Sequence, residues 1–404
     1  MHVGIDFGTT NSAVAVADDA GTISLVPLAG ASYWRTILYF EPGGKLTAGA
    51  PAIARYLETG GEGRLVQSIK SHLASATFGK TMILGRRWTL DDMIAAYLRL
   101  VRAAAPFELG SRAVIGRPVR YWGATDDEDD ARAIGRMREA CAKAGFTEVQ
   151  FQYEPVGAAA RYAARLDHQE LIVVADYGGG TTDFSVIRAG AGDTSVLATG
   201  GLGVSGDAFD ARVIDSIVAP ELGRGTKYVT DEWGGEALVP AWLYSSLRRW
   251  HLLSFLKEES TQRLLTRVVE GAIEPKRIER FIQLVDEDLG LALHGAVEGA
   301  KVRLSQADQD KVALRAIELD LPILRDDFEQ WIGEDLDAID VVLTKVLADA
   351  GVTADQIDRV FATGGSSLVP AVRNRLRKRF GDRLVGGEEL TSVAWGLAAL
   401  AMRF

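Results

Sequence analysis

Two short segments combine an acidic residue with glycines and hydroxyl side chains, which is the chemistry of a turn that holds a phosphate. The first reads IDFGTTNS, where Asp6 interrupts an apolar run and Gly8, Thr9, Thr10 and Asn11 follow. A carboxylate within a buried strand costs free energy unless a cation or hydrogen bonds compensate it. Glycine allows backbone N–H groups to approach an anion closely. Alone, the segment is equally consistent with a hairpin turn that Asp6 caps.

The second segment repeats this pattern about 170 residues later. It reads IVVADYGGGTTDFSVI over residues 172–187, and its polar residues are Asp176, Gly178, Gly179, Gly180, Thr181, Thr182 and Asp183. Aligned letter by letter, the second turn is two residues longer than the first. Such self-similarity favours a duplicated unit over two accidental hairpins. Two such turns facing each other would hold a polyphosphate from both sides.

Composition limits the class of protein. The chain has 404 residues, of which 47% are hydrophobic and 25% charged, as in ordinary globular proteins of two lobes or two to three domains. A net charge of −10 disfavours binding to nucleic acid or anionic membranes. The single cysteine, Cys141, excludes a disulfide framework. Because no stretch approaches the ~18 apolar residues of a membrane span, and no signal peptide is recognisable, we expect a cytoplasmic protein.

The elements that must position these turns alternate between strand and helix. Residues 113–166 read as strand, helix, strand and helix, and strands resume after residue 170. Residues 220–290 are mostly helical in pattern, and we expect Trp233, Trp242 and Trp250 there to be core residues. The end of the chain returns to strand and helix. The sequence therefore predicts an α/β protein.

Six motifs in order resemble a known family. They are VGIDFGTTNSAVAV, AVIGRPV, YEPVGAAARYA, VVADYGGGTTDFSVI, VEGAKVRLS and VFATGGSSLVPAVRNRL. This order is similar to that in the nucleotide-binding domain of DnaK-type (70-kDa heat-shock) chaperones, members of the actin and sugar-kinase superfamily. The resemblance extends over nearly the whole chain and is weakest at about 20–110 and 220–290.

The resemblance implies two ribonuclease-H-like (actin-like ATPase) lobes around a central nucleotide cleft, each with an inserted subdomain. Lobe I would span 1–168, with its core at 1–35 and 106–168 and its insertion at 36–105. Lobe II would span 169–404, with its core at 169–215 and 291–404 and a mostly helical insertion at 216–290.

The resemblance also assigns the phosphate chemistry. Asp6, Asp176 and Asp183 would lie near a magnesium ion. The residues that act on the phosphate and the attacking water would be Lys70, Glu154, Asp176 and Thr181. The residues that line the phosphates would be Gly8, Thr9, Thr10, Asn11, Gly178, Gly179, Gly180, Thr181 and Thr182. The alternatives are an ordinary surface lysine at position 70 and a simple helix start at position 154.

The nucleoside would be bound by residues from two later motifs. They are Glu298, Lys301, Ser305, Gly364, Gly365 and Ser366. Glu298 and Lys301, three residues apart, are also consistent with a solvated pair on a helix.

Three departures from the family pattern bear on function. Leu368 stands where relatives carry an arginine that stacks on adenine, and its usual partner position is Val302. Since such stacking contributes about 1 kcal/mol, we expect weaker ATP binding or relaxed base selectivity. The segment GGEELTSVAWG lacks the expected Asn-Pro-Asp-Glu stretch. The chain stops after its last predicted helix, so we expect a bacterial homologue that consists of the nucleotide-binding domain alone.

These features predict a chaperone-like, Mg²⁺-dependent ATP-binding protein with slow ATP hydrolysis. It would bind ATP and ADP and act on a protein partner or exchange factor through nucleotide-dependent lobe closure, and the use of K⁺ stays open. Two alternatives remain: a small-molecule kinase of the same superfamily, and a nucleotide-binding or filament-forming scaffold without turnover.

Overall fold

The computed structural model describes residues 1–163, 166–190, 193–230, 233–248, 253, 256–385 and 392–403. The chain forms two compact units. Unit 1 comprises Met1–Ser205, Ile339–Ser367 and Asn374–Phe404, and unit 2 comprises Gly206–Ala338 and Leu368–Arg373. The predicted lobe boundary at residue 168 and the predicted insertions stay predictions.

Unit 1 contains two mixed β-sheets. The first is built from β1 (His2–Phe7), β2 (Asn11–Ala17), β3 (Ile23–Leu25), β4 (Trp34–Arg35), β10 (Arg112–Arg117) and β11 (Glu148–Tyr153). The second is built from β12 (Glu170–Tyr177), β13 (Thr182–Gly190), β14 (Asp193–Leu202), β19 (Arg359–Thr363) and β20 (Leu384–Val385).

The two sheets share one topology. The first runs β3-β2-β1-β10-β11 and the second β14-β13-β12-β19-β20. In each, the first three strands are antiparallel and the last three parallel. The repeated pattern in the sequence therefore reflects two sheets of the same topology within unit 1. The predicted α/β class is confirmed.

Two helices rich in small residues pack against these sheets and each other. They are α4 (Glu154–Ala163), which contacts the second sheet, and α14 (Ser392–Ala401), which contacts the first. A Cβ on Gly396 would lie 1.8 Å from the carbonyl oxygen of Gly157, and one on Gly4 of β1 would lie 2.2 Å from the amide of Ala398. Backbone thus meets backbone, which sets how closely the layers approach.

The remaining elements that belong wholly to unit 1 lie mainly between β4 and β11. The strands are β5 (Ile37–Phe40), β6 (Leu46–Ala48), β7 (Arg64–Gln67), β8 (Lys80–Ile83) and β9 (Arg86–Thr89). The helices are α1 (Gly49–Glu58), α2 (Leu90–Ala104) and α3 (Asp127–Lys143), together with a 3₁₀ turn at Ile69–His72. Two further helices, α12 (Gly333–Asp349) and α13 (Pro370–Phe380), follow later in the chain and include residues of both units.

Unit 2 is mostly helical. Its helices are α5 (Gly206–Val213), α6 (Ala219–Glu221), α7 (Trp242–Ser245), α8 (Glu259–Gly271), α9 (Pro275–Asp286), α10 (Gly290–Leu304) and α11 (Arg325–Trp331). Two hairpins complete it: β15 (Lys227–Val229) with β16 (Glu236–Leu238), and β17 (Gln309–Leu314) with β18 (Leu319–Leu324). Across the part of the chain that the structure describes, no helix is long and apolar enough to cross a membrane.

The expectation that the tryptophans of this region are core residues was wrong for two of them. Trp233 is 95% exposed and Trp242 is 52% exposed. Trp233 follows β15 in the connection to β16, outside any named strand or helix, and Trp242 opens a helix of only four residues. Trp250 lies outside the described residues.

Candidate functional site

The two glycine turns have the same length. Phe7 pairs with Ser12 across the first hairpin, and Tyr177 pairs with Thr182 across the second. Each turn therefore consists of four residues, 8–11 and 178–181. The expectation that the second is two residues longer was wrong, because Thr182 and Asp183 already belong to β13.

The carboxylates take equivalent places in the two hairpins. Asp6 lies opposite Ala13, and Asp176 lies opposite Asp183. Each of Asp6 and Asp176 is the last strand residue but one before its turn. The shared topology of the two sheets thus places one carboxylate beside each turn.

Side chains behind the first turn hold it in shape. Thr36 is fully buried, and its Oγ1 donates to the carbonyl oxygen of Gly8 at 2.8 Å and accepts from Ser12 Oγ at 2.8 Å. A Cβ on Gly8 would lie 2.1 Å from the carbonyl oxygen of Asn11, so the turn requires glycine. Within the described residues, the buried Oδ1 of Asn11 has no hydrogen-bond partner.

The second turn is held in the same way. The carbonyl oxygen of Gly178 accepts hydrogen bonds from Ser205 Oγ at 2.7 Å and from Ser366 Oγ at 3.0 Å. The Gly178 amide donates to Thr181 at 2.9 Å and closes the turn. Gly364, at φ +79°, packs so closely that a Cβ would lie 2.2 Å from the carbonyl oxygen of Tyr177.

These contacts leave donors for an anion. Among the described residues, the amides of Thr9, Thr10, Gly179 and Gly180 make no hydrogen bond. Hydroxyl groups donate to the first carbonyl oxygen of each turn, and the N–H groups that follow are available to bind an anion. Consecutive backbone N–H groups of this kind are a common phosphate-binding arrangement.

A lysine and a glutamate form a buried ion pair in the same unit. Lys70 Nζ lies 2.6 Å from Glu154 Oε1, and the two side chains are 9% and 14% exposed. Lys70 is carried by the turn Ile69–His72, and Glu154 is the first residue of α4. Thr363, at the end of β19, donates to Asp176 Oδ1 at 3.0 Å.

The carboxylates crowd one another. Burial, reinforced by Glu154, raises the pKa of Asp6 to about 8 and that of Asp176 to about 6. Burial, reinforced by Asp176, raises the pKa of Asp183 to about 7. Burial alone would lower the pKa of Lys70, but Glu154 and then Asp6 outweigh it, so that pKa is raised. One lysine thus faces an excess of negative charge that a cation would relieve.

This arrangement fits magnesium held together with a nucleotide. Among the residues described, no three His, Cys, Asp or Glu side chains form a ready-made metal cage. Mg²⁺ normally keeps several waters and takes only one or two carboxylates together with phosphate oxygens. The negative excess in the same unit as two turns with available N–H groups is consistent with that requirement, and Asp6, Asp176 and Asp183 are the residues that would hold the ion.

A cavity opens beside the carboxylates. Its empty volume, open solvent included, is about 520 Å³, and Glu154, Asp176 and Asp183 are among the residues that line it. Its lining also includes apolar residues such as Phe184 and Val393 and polar ones such as Arg120 and Thr199.

The residues expected at the nucleoside fall in both units. Gly364, Gly365 and Ser366 belong to unit 1, and Ser366 supports the second turn as described. Within unit 2, Lys301 Nζ is bound to the buried Asp210 at 2.8 Å and to the carbonyl oxygen of Gly206 at 3.2 Å. Lys301 is therefore not one half of a solvated pair with Glu298.

Other residues of the nucleoside motifs lie on α10 or near it. Ser305 follows the last residue of α10, and its Oγ lies 3.5 Å from the carbonyl oxygen of Lys301. Val302 is 57% exposed and Leu368 is 42% exposed. The segment GGEELTSVAWG, which lacks the Asn-Pro-Asp-Glu stretch of the family, falls in part on 386–391, and these residues lie outside the described part of the chain.

Sequence reasoning missed three supporting hydroxyl residues. Thr36, Ser205 and Thr363 each contact a turn or a carboxylate of the site. Thr363 carried a usable signal in the sequence, since it directly precedes Gly364-Gly365 at the end of a predicted strand. In the structure this strand, β19, is parallel to β12. Thr36 and Ser205 lie in loops without a recognisable pattern, and only tertiary structure brings them to the turns.

Comparison with known proteins gives one family. The family model described as Hsp70 protein matches residues 64–226 and 267–401, well over half of the chain. The chaperone protein DnaK of Thermosipho melanesiensis is 27% identical to this chain over 416 aligned positions. That alignment covers 99% of this chain and 58% of the length of DnaK.

Proposed function

The chain belongs to the Hsp70 family, and we propose that it binds ATP and ADP together with Mg²⁺, hydrolyses ATP slowly, and signals its nucleotide state to a protein partner. The observation that supports this most directly is the buried Lys70–Glu154 pair among Asp6 and Asp176. Two turns with available N–H groups lie in the same unit. A cytoplasmic location and an exchange factor as partner remain predictions.

Each residue of the cluster has a role that its surroundings favour. The N–H groups of the two turns bind the phosphate oxygens, and Lys70 adds a positive charge on a short turn. A bound Mg²⁺ supplies further positive charge for the phosphate oxygens. Glu154 and Asp176, both with carboxylate oxygens in the cluster, orient a water and accept its proton.

Thr181 is the last residue of the second turn, and Asp183 follows in β13. The Thr181 side chain hydrogen-bonds to Asp183, which tends to lower the pKa of that carboxyl group against the effect of burial. We propose that Thr181 orients the carboxylate and contacts the phosphate. For the nucleoside, the roles of Glu298, Lys301 and Ser305 are proposals. Because Lys301 is bound to Asp210 and Gly206, we expect it to position the start of α5 rather than to contact the ligand directly.

Calorimetric titration tests the proposal. ATP and ADP are titrated into metal-stripped protein with and without Mg²⁺, and ADP release is followed overnight. We expect magnesium-dependent binding and slow turnover, both lost in Asp176→Asn. The control is Asp335→Asn, since Asp335 is a carboxylate of similar burial in unit 2, paired with Arg212 at 2.9 Å. It should lose stability but keep nucleotide binding.

Other results would point elsewhere. No heat with either nucleotide up to millimolar concentration would refute the proposal and leave the turns as inherited scaffold. Binding without turnover would indicate a nucleotide-binding scaffold. ADP release that rises on addition of small hydroxyl compounds would indicate a kinase, with the acceptor in the cavity beside Glu154.

A further inference from the structure

The segment that carries Lys70 contains little regular structure of its own. Ser68 adopts a left-handed conformation (φ 55°, ψ 30°), and the 3₁₀ turn Ile69–His72 follows at once. Beyond the turn, Leu73 and Ala74 are buried, while their carbonyl groups are not part of a helix or sheet. Buried carbonyl groups require hydrogen-bond donors from elsewhere.

Two arginines of α3 supply these donors. Arg136 Nη1 lies 2.8 Å from the carbonyl oxygen of Leu73, 2.8 Å from that of Ser75 and 3.4 Å from that of His72. Arg132 Nη1 donates to the carbonyl oxygen of Ala74 at 2.8 Å. Four residues apart, the arginines lie on one face of α3 and bind consecutive carbonyl groups of 72–75.

The two arginines differ in their acidic neighbours. Arg132 forms ion pairs with Asp129 and Glu128 on its own helix. In the described part of the chain, Arg136 forms no ion pair. Burial and the neighbouring Arg132 lower its pKa. The Arg136 guanidinium is thus partly removed from water, and hydrogen bonds to backbone carbonyl groups take the place of its hydration. Its rigid, planar group suits an acceptor set of fixed geometry.

We propose that Arg136, assisted by Arg132, is a positioning residue for Lys70. By fixing the carbonyl groups of 72–75, it holds the backbone just after the turn, and so keeps Lys70 Nζ at the Glu154 carboxylate. The part of this proposal that concerns phosphate rests on the proposed function, whereas the part that concerns the ion pair does not. The competing explanation is that packing of Ile69 and Leu73 alone sets the turn.

The first test measures the position of Lys70 without nucleotide. Wild type, Arg136→Gln and Arg136→Lys are treated briefly with acetic anhydride, and the acetylation of each lysine is followed by mass spectrometry. We expect Lys70 to react slowly in the wild type and about tenfold faster in Arg136→Gln, because local opening frees its amine. Arg136→Lys keeps the charge but not the fork, and should be intermediate.

A matched control comes from the same helix. Arg138 donates to the carbonyl oxygen of Val149 at 3.3 Å and stacks on Phe151 at 5.0 Å, but the structure records no contact from it to 72–75. Arg138→Gln should leave the labelling of Lys70 unchanged. Lys143 at the end of α3 should react equally in all variants, which would exclude general loosening of the helix.

The second test follows turnover. In Arg136→Gln we expect kcat to fall on the order of 10-fold while ADP affinity stays within about twofold of wild type, since misplaced groups act mainly on the chemical step. Unchanged Lys70 labelling in Arg136→Gln would overturn the positioning role even if the protein is an ATPase. Faster Lys70 labelling in Arg136→Gln than in wild type, when the wild type itself has no ATPase activity, would support positioning and refute the proposed function.

Discussion

At the scale of single residues, the carbonyl oxygen of Gly178 accepts two side-chain hydrogen bonds. Ser205 and Ser366 both donate to it. A lone hydroxyl would satisfy it partly, and two fix its direction. The amides of Gly179 and Gly180, which follow it, make no hydrogen bond among the described residues. Under the proposed function, the serines would act on a bound phosphate through the backbone.

This redundancy leads to the first prediction. Ser205→Ala and Ser366→Ala alone should each cost about 0.5–1 kcal/mol of unfolding free energy, because the other hydroxyl remains. The double variant should cost more than the sum of the two and should weaken nucleotide binding further than either. Urea unfolding and calorimetric titration provide the measurements. Strict additivity would mean that the serines do not share the acceptor in solution.

The second prediction concerns the buried ion pair. Lys70→Met leaves Glu154 among other carboxylates without a cation, and should cost about 3 kcal/mol of stability. Lys70→Met/Glu154→Gln should be more stable than Lys70→Met, since the orphaned charge is gone. The same cycle on the exposed pair Lys227–Glu236, 2.8 Å apart, should show no measurable coupling. Equal destabilisation in both Lys70 variants would contradict this account.

At the scale of elements, the contact between α4 and α14 depends on two glycines. Gly396 meets the carbonyl oxygen of Gly157 so closely that a methyl group would overlap backbone. Alanine normally favours a helix over glycine by about 1 kcal/mol, but here the overlap should dominate. The third prediction is that Gly396→Ala costs about 3 kcal/mol of unfolding free energy or more.

A second glycine provides the control. Gly135 lies in α3 with open space where its Cβ would be, so Gly135→Ala should stabilise the protein by about 0.5–1 kcal/mol. Thermal unfolding of the two variants distinguishes the cases. A stabilised Gly396→Ala variant would show that the helices separate more readily in solution than their packing suggests.

The same elements show what could be predicted from sequence. Alternating strands and helices gave the α/β class, and the repeated Asp-Gly-Thr segments indicated two equivalent turns. Both signals are local, because strand periodicity and turn chemistry depend on neighbours in the chain. The two-residue difference between the turns was wrong because letters alone do not show that Thr182 pairs with Tyr177. Register is set by the sheet.

Local sequence patterns did not predict long-range partners, and only the family resemblance named Lys70 and Glu154 for one site. Lys70 and Glu154 are 84 positions apart, and no periodicity links them. Arg136 reads as an ordinary residue on the polar face of a helix, yet it binds three carbonyl groups. Such contacts arise only when α3 packs beside the turn, which is tertiary information. The exposed Trp233 shows the opposite failure, where hydrophobicity alone predicted burial.

At the scale of the whole molecule, the duplicated sheet topology has an electrostatic consequence. It places Asp6 and Asp176 at equivalent positions in two sheets of one unit. Burial, reinforced by Glu154 and Asp176, raises the pKa of Asp6, and burial, reinforced by Asp176 and Glu154, raises that of Asp183. The proposed function requires these charges, while folding disfavours them. Stability without ligand should therefore depend on pH in a range where most carboxylates do not titrate.

The fourth prediction is that the unfolding free energy of the ligand-free chain falls from pH 5 to pH 8. Asp6, Asp183 and Asp176 have folded pKa values of about 8, 7 and 6, all above the unfolded value. Their contribution is complete below the unfolded pKa and is lost as pH rises through the folded values. We expect a loss of roughly 1–4 kcal/mol over this range, measured by urea unfolding in chelator.

Asp6→Asn isolates the cause. The amide cannot ionise, so the variant should be more stable than wild type at pH 8 and should show a flatter curve, while losing magnesium-dependent nucleotide binding. The pKa of the exposed His168 is also raised, by its hydrogen bond to Asp167, so its contribution to the unfolding free energy is also lost as pH rises. It is present in both proteins, so the difference between the two curves reports Asp6. Parallel curves would mean that Asp6 is ionised in the folded chain throughout, with a cation already compensating it.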